Sequence, residues 1–584
     1  MLLACLLLSY GISCEATSRR KTIKAEDVAL TPELVSKVAI NKTVVITQGT
    51  FQSYDFVYNW VQHLAALNIS QYLVAADDLK LVKALVKADI QCFLAAPPPS
   101  ANQRHKPGRR NRRRQLEPGV DRASLISQIS HMGFTVVFSD NDCVWQRQPF
   151  KYFAKFPHLD ILVSSDLLTM HRGQRVKEEL DPFAADLNTD FVMVRPTPAA
   201  QRFVDHWAAA LQSTQSRPSR QSRQGAAAAH VRRRMLFSGL LRQGHEETFD
   251  LRGFSYKGWN GSVPFGVLPT EYWPSGRAFA GDYHEQLWGN RPFVAHVNYM
   301  GTRAQKRHML REYGAWFEAW PQFYHHPGGY MLYEPNSLAH LLRRTLVAHE
   351  PDAKLRWKAN LELLQHQWAQ VTSAFAVAHA LGRALILPRI WTGYRAFCNI
   401  EAAWARHPVH LPAFGLYHIA NMERALPEQE YGPHIPFRDF AFLTRRGLPS
   451  TATFLWSTVD IQVCRPEDQP CSSRPVAAPL EDRSRETYLI PGNLTDEQLR
   501  QALEGLGSDK VLRFTGITHA FGGFVDPAAT ARFRRRLDLY HWPVTEHNMS
   551  GSWMGIWPNV VNQGEAAWPV LEHIPRSQRA ATQP

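Results

Sequence analysis

Short apolar segments alternate with amphipathic ones along the first 140 residues. The apolar segments are rich in β-branched and aromatic residues, as in Thr43–Thr47 (TVVIT), and the longer segments between them repeat apolar positions at helical spacing. The pattern predicts strands at 43–47, 72–75, 92–95 and 135–138, and helices at 54–67, 79–87 and 121–131. Continuous apolar strands separated by amphipathic helices indicate an α/β fold with a parallel sheet covered on both faces.

Two acids follow the fourth predicted strand. Asp140 and Asp142 are separated by one residue in the segment Ser139-Asp140-Asn141-Asp142. Ligands of such sheets bind beyond the carboxyl ends of the strands, and two carboxylates there can converge on one divalent cation that holds a diphosphate. A solvated turn is the alternative. The strand before the acids favours the cation site.

Composition and charge narrow the choice of partner. The chain has 584 residues, 45% of them apolar and 20% charged, which is typical of a globular protein of about two to four domains. The net charge of +14 would suggest a nucleic acid or an anionic membrane. However, thirteen Lys and Arg residues and no acids lie in 101–115 and 211–235. We therefore interpret 97–118 and 212–234 as Arg-rich insertions that form solvated loops, with a polyanion-binding arm as the alternative. Since no aromatic residues interleave with these arginines, we expect no nucleic-acid partner.

The amino terminus predicts the secretory pathway. Residues 2–12 are apolar but too few to span a bilayer, so 1–16 is interpreted as a signal peptide or a truncated signal-anchor, which leaves a membrane anchor possible. Cys464 and Cys471 are spaced to close a small disulfide loop. Five glycosylation sequons fit a lumenal chain, at Asn41, Asn68, Asn260, Asn493 and Asn548.

Four ordered blocks carry a family resemblance. FSDNDCVWQRQPF, at 138–150, is similar to the core of the nucleotide-diphospho-sugar transferases of glycosyltransferase family 77, and similar blocks follow at 159–166, 187–195 and 293–306. The resemblance implies a GT-A-like (Rossmann-like) nucleotide-sugar transferase domain over 40–320. It also implies a UDP-sugar donor, Mn²⁺ (or Mg²⁺) and retention of the anomeric configuration.

The same resemblance implies roles for six residues. Asp140 and Asp142 would bind the metal and the diphosphate, Lys306 the diphosphate, and His296 the metal, although a histidine that ends a strand can also be a core residue. Asp166 and Asn188 would line the catalytic cleft, where a carboxylate could position the acceptor hydroxyl.

Two positions depart from the family pattern. Asp190 stands where Asn-Thr-Gly is usual, which places a side chain where close backbone approach is expected. The region 231–241 lacks the usual Asp-Gln pair and directly follows the second Arg-rich insertion. A non-catalytic carbohydrate-binding descendant of the fold is therefore the alternative to a transferase.

The second half narrows the resemblance further. A predicted helix at 361–380 ends before Gly382, and a predicted buried strand follows it. This pattern resembles the C-terminal region of plant and green-algal extensin arabinosyltransferases, so a C-terminal α/β accessory domain is expected at 330–584. Arg383 within it is either a phosphate or carboxylate clamp or a helix-end cation.

The resemblance to extensin arabinosyltransferases also implies a substrate pair and a compartment. The donor would be UDP-arabinofuranose and the acceptor arabinosylated hydroxyproline of a cell-wall glycoprotein, in the Golgi lumen. Donor choice can change with one pocket contact, so UDP-galactose and UDP-xylose remain alternative donors.

Overall fold

The first half of the chain forms an eight-stranded mixed sheet and a two-stranded ribbon. The computed structural model describes residues 28–95, 121–165, 187–215, 236–243, 255–276, 279, 291–298, 302–336, 338–347, 353–393, 409–411, 413, 417–444, 457–464, 475–476 and 487–540. The first ten strands are β1 Thr43–Gly49, β2 Tyr72–Ala76, β3 Cys92–Leu94, β4 Thr135–Ser139, β5 Cys143–Trp145, β6 Ile161–Ser165, β7 Leu187–Val194, β8 Ser255–Gly258, β9 Val263–Val267 and β10 Val294–His296.

The large sheet has the order β3-β2-β1-β4-β7-β6-β9-β8. β1 to β4 are mutually parallel, whereas β7 runs antiparallel to both β4 and β6. The ribbon pairs β5 with β10. The start of this order, 3-2-1-4, is that of a nucleotide-binding Rossmann sheet. The predicted α/β fold is confirmed, but the prediction of a parallel sheet is wrong beyond β4, because β7 is antiparallel to both of its neighbours and β8 is antiparallel to β9.

Helices cover both faces of this sheet, because alternate residues of each buried strand point in opposite directions. Val44 and Ile46 pack on one face with the helices Arg122–His131 and Pro198–Gln215. Val45, between them, packs on the other face with Tyr54–Ala66 and Leu79–Lys87. The predicted strands and helices of this region agree with the structure to within about two residues at each end.

The second half contains a seven-stranded sheet with the order β15-β12-β11-β20-β16-β18-β17, and helices accompany it, as expected of an α/β region. The strands of the second half are β11 Tyr330–Glu334, β12 Ala384–Ile386, β13 Ile390–Gly393, β14 Val409–Leu411, β15 Phe437–Arg438, β16 Thr458–Val463, β17 Pro475–Val476, β18 Thr487–Ile490, β19 Leu494–Thr495, β20 Val511–Thr515 and β21 Phe521–Gly523. Of these, β13 pairs with β14 and β19 with β21, outside the seven-stranded sheet. The helix Arg303–Glu312 lies at the junction of the two halves. The helices of the second half are Leu338–Val347, Ala353–Leu381, Ile419–Glu423, Glu428–Tyr431, Asp496–Ala502 and Pro527–Tyr540.

One apolar core joins the two halves. Val144 of β5, and Ala295 and Val297 at β10, belong to the same buried cluster as Trp368 and Phe375 of the long helix Ala353–Leu381. That helix begins eight residues before the predicted one and ends at Leu381, before Gly382 at φ +63°. The ribbon is therefore packed from both halves of the chain.

Several predicted segments fall wholly or partly outside the described residues. These are the leader or anchor at 1–16, the insertion at 97–118, most of the insertion at 212–234, and Cys471. Cys464 is disulfide-bonded, and the helix Pro198–Gln215 extends four residues into the second predicted insertion. Within the described residues, no helix combines the length and the apolar character that a bilayer span needs.

Arg383 has a structural role in the second sheet. Its guanidinium is buried and donates to the carbonyl oxygens of Leu506, Gly507 and Lys510 at 2.9, 2.8 and 2.6 Å, and to that of Tyr330 at 3.3 Å. These carbonyls belong to the start of β11 and to the loop that precedes β20. Arg383 is therefore neither a phosphate or carboxylate clamp nor simply a helix-end cation. Its planar guanidinium links the start of β11 to the segment before β20 by hydrogen bonds to backbone oxygens.

We expect Arg383→Ala to lower the free energy of unfolding by about 3 kcal/mol, because buried carbonyl groups lose charged hydrogen-bond donors. Urea denaturation followed by fluorescence measures the change. Arg343→Ala removes an exposed arginine of a neighbouring helix and should change stability by less than about 0.5 kcal/mol. Equal effects of the two substitutions would contradict the structural role of Arg383.

Candidate active site

The turn between β4 and β5 is held in place by buried polar contacts. The hydroxyl of Ser139 accepts hydrogen bonds from the indole nitrogens of Trp60 and Trp145, at 3.2 and 3.1 Å. Asn141, between the two acids, donates from Nδ2 to the carbonyl of Gln48 at the end of β1, at 2.7 Å. These contacts explain why serine and tryptophan flank the acid pair in the sequence. They fix the backbone that carries Asp140 and Asp142.

The ribbon brings a distant histidine to the acids. β10 runs antiparallel to β5, with His296 opposite Cys143, and the amide of Val297 donates to the carbonyl of Asp142 at 3.2 Å. His296 Nε2 consequently lies 3.4 Å from Asp142 Oδ1. It also lies 3.4 Å from an oxygen of Asp190.

β7 supplies the other side of the site. It pairs with β4, and the amide of Asp140 donates to the carbonyl of Asp190 at 2.8 Å. Asn188 Oδ1 accepts from the amide of Asp190 at 2.8 Å, and its Nδ2 lies 2.9 Å from His296 Nδ1. Asn188 thus orients the imidazole ring so that Nε2 faces the carboxylates.

Two cations compensate the three carboxylates. Arg122, the first residue of the helix Arg122–His131, forms an ion pair with Asp190 and contacts Asp140 at 3.2 Å. Lys306 forms an ion pair with Asp142. Asp190 is fully buried and Asp142 nearly so, and carboxylates so far from water require such partners.

The two acids of the turn have different electrostatic surroundings. Burial raises the pKa of Asp140 to about 6, although Arg122 opposes the change. Burial also disfavours the ionised form of Asp142, but Lys306 and His296 together hold its pKa well below its usual range. Burial raises the pKa of the Cys143 thiol, which keeps it protonated and makes it a poor metal ligand.

The donor set suits a hard or borderline divalent cation. Ligand atoms of Asp140, Asp190 and His296 lie within 4.8 Å of one another, as do those of Asp142, Cys143 and His296. Oδ1 of Asp142 is buried and has no hydrogen-bond donor among the described residues. Carboxylate oxygens with one imidazole nitrogen fit Mn²⁺ or Mg²⁺ better than a softer metal.

The structure brings together most of the predicted site residues. Asp140, Asp142, Asn188, His296 and Lys306 lie in one cluster, whereas Asp166 lies outside the described residues.

Sequence reasoning missed Arg122 as a site residue and treated Asp190 only as a departure from the family pattern. The one charged residue of the strand LNTDFVMV, which ends in four apolar residues, was the available signal, because a buried carboxylate needs a cation. Nothing in the sequence identified which of the many arginines supplies it.

Comparisons with known proteins find similarity over the part of the chain that carries these side chains. The nucleotide-diphospho-sugar transferase family matches residues 67–310. Arabinosyltransferase XEG113 of Arabidopsis thaliana is 28% identical over 544 residues, which cover 89% of this chain and 77% of the plant protein.

Two solved structures of LgtC are also similar. An active-site mutant overlaps 45% of this chain and 89% of its own at 9% identity and a TM-score of 0.26. The galactosyltransferase in complex with donor and acceptor sugar analogs overlaps 44% and 86% at 9% identity and a TM-score of 0.24. The family match over residues 67–310 and the similarity to the plant enzyme over most of the chain support a glycosyltransferase whose first half contains a region similar to nucleotide-diphospho-sugar transferases.

Proposed function

We propose that this protein transfers L-arabinofuranose from UDP-arabinofuranose to arabinosylated hydroxyproline of extensin-like glycoproteins, with retention of configuration. The observation that carries the proposal is the buried cluster of Asp140, Asp142, Asp190 and His296 at the carboxyl end of β4. Similarity to a plant arabinosyltransferase over most of the chain supports the choice of sugar.

The residues of the cluster divide the work of holding the donor. Asp142, His296 and Asp140 would hold a divalent cation, which when bound offsets the negative charge of the UDP leaving group. Asn188 keeps Nε2 of His296 directed at the carboxylates. Lys306, already at the edge of the site, supplies a point charge for the diphosphate.

Arg122 and Asp190 set the charge of the site. Arg122 contacts both Asp190 and Asp140, so it prevents three carboxylates from repelling one another. The three carboxylates exceed the two cations by one negative charge, which favours a divalent cation at the cluster. Asp190 would therefore increase the affinity for the metal.

The exposed sequons support passage through a lumenal compartment. Asn41, Asn68, Asn260 and Asn493 are all solvent-exposed, and each lies in a turn with φ between +50° and +57°. An asparagine side chain on such a turn can carry a glycan without displacing packed atoms. Asn548 lies outside the described residues.

We expect these four asparagines to carry N-linked glycans when the chain is expressed in a secretory eukaryotic host. Treatment with peptide-N-glycosidase should lower the apparent mass and convert the four residues to aspartate, as peptide mass spectrometry detects. Asn→Gln substitution at each position should remove one glycan. A chain that reaches the medium or the Golgi without glycans would contradict the prediction.

A donor screen tests the reaction. Purified protein with Mn²⁺ and an arabinosylated hydroxyproline peptide should release UDP from UDP-arabinofuranose, and much less from UDP-galactose or UDP-xylose. Preference for one of the latter would replace the proposed donor. Glycan binding that survives EDTA, without turnover of any donor, would instead support a non-catalytic carbohydrate-binding protein.

We expect Asp142→Asn to lower kcat/KM by at least about 100-fold, because the neutral amide loses both the metal and the ion pair with Lys306. Calorimetric titration with Mn²⁺ should show weakened binding independently of turnover. Asp205→Asn is the matched control, since Asp205 is an exposed acid that pairs with His131 on a helix surface. Unchanged Mn²⁺ affinity in Asp142→Asn would remove Asp142 from the metal site.

Asp190→Asn should weaken Mn²⁺ binding and lower the free energy of unfolding by about 3 kcal/mol, because the buried Arg122 loses a charged partner. Urea denaturation measures the stability, and calorimetry the metal affinity. Asp205→Asn again serves as the control for both. If stability falls while Mn²⁺ affinity stays at the wild-type value, Asp190 has only a structural role.

A further inference from the structure

The helix Arg303–Glu312 connects the donor site to the second half of the chain. It begins at Thr302, whose side chain and Gln305 form a reciprocal cap, so its start is fixed. Lys306 contacts Asp142, and the next residue, Arg307, contacts groups away from the site. The orientation of this one helix therefore decides where the Lys306 ammonium lies.

Glu423 binds this helix from the second half. One carboxylate oxygen, Oε2, accepts from Arg307 Nη1 at 2.9 Å, and the other, Oε1, accepts from Arg311 Nη1 at 3.4 Å. Arg307 also contacts Asp55, with Nε at 2.9 Å, and Arg311 contacts Glu318, with Nη2 at 2.6 Å. Glu423 thus bridges two arginines one helical turn apart.

The short helix that carries Glu423 is itself anchored. Ile419 and Met422 are buried in the core that joins the two halves. The amide of His418 donates to the carbonyl of Tyr540 at 2.7 Å, and Asn421 Nδ2 donates to that of Leu539 at 3.1 Å. Glu423 is therefore held by the helix Pro527–Tyr540 of the second half.

The carboxylate of Glu423 lies between two positively charged side chains of the helix Arg303–Glu312. Arg307 and Arg311 are four residues apart on one helix face, where like charges repel. Arg311 is also mostly buried, with its guanidinium 3.9 Å from the ring centroid of Phe323. Asp55 and Glu318 each compensate one of these arginines, whereas Glu423 contacts both and so links this face of the helix to the second half.

We propose that Glu423 is a positioning residue, through which the second half holds the helix Arg303–Glu312 so that Lys306 reaches the donor diphosphate. The inference rests on the donor-binding role of Lys306 under the proposed function. Glu423 acts through the helix, since its own carboxylate contacts Arg307 and Arg311 rather than the acid cluster. The accessory half thereby contributes to donor affinity.

Glu423→Gln in the full-length chain should raise KM for the UDP-sugar and Kd for UDP by about fivefold, with kcat changed less than twofold. Glu362→Gln is the matched control, because Glu362 forms an exposed ion pair with Arg344 in the same half. Glu423→Asp, which keeps the charge, should recover part of the affinity. An unchanged Kd for UDP in a folded Glu423→Gln protein would overturn the proposal.

A double variant tests the route through Lys306. If Glu423 acts by placing this lysine, Glu423→Gln should have no further effect on UDP affinity once Lys306→Met has removed the ammonium. An additive loss in the double variant would overturn the proposal even if the single variant weakens binding. If Lys306→Met binds UDP as the wild type does, Lys306 has no donor-binding role, and the proposal for Glu423 fails with it. This outcome is distinct from failure of the proposed transferase function, which the donor screen tests by UDP release.

Discussion

The convergence of three carboxylates from two neighbouring strands, two of them buried, is the constraint on which the rest of the site depends. Asp140, Asp142 and Asp190 converge where β4 and β7 lie side by side. Such a cluster is unfavourable unless cations reach it. Arg122 comes from a helix on one face of the sheet, and Lys306 from the junction with the second half. Because the carboxylates need these cations, the strands that carry the acids, the helix of Arg122 and the helix of Lys306 all meet at this cluster.

The backbone alone would not hold this arrangement, because β5 and β10 are only three residues long. Their positions depend on packing and on buried polar contacts such as the two indole donors at Ser139. The same contacts explain the family resemblance in physical terms. Ser139 and Trp145 of that motif hold the turn in place, and under the proposed function its two acids bind the metal.

Sequence periodicity predicted β1 to β4 of the first sheet, because each of these strands is an apolar run between helices with one apolar face, but it predicted no strand for β6 to β9. It could not pair β5 with β10, since 148 residues lie between the paired positions Trp145 and Val294. Asp140 and Asp142 were visible from their local pattern, and His296 and Lys306 from resemblance. The pairing of Arg122 with Asp190 depends on tertiary packing of a helix against a strand, so only the need for some cation could be inferred.

The second half is part of the scaffold of the acid cluster, because both halves contribute side chains to one buried apolar core. Val144, Ala295 and Val297 flank Asp142 and His296 in the chain, and they pack in one core with Trp368 and Phe375. Removing the second half would open this core to water, at a cost of about 25 cal/mol per Å² of apolar surface exposed. The ribbon would lose the packing that fixes its place. The family-matched segment at 67–310 therefore contains the site residues but not all of the contacts that hold them.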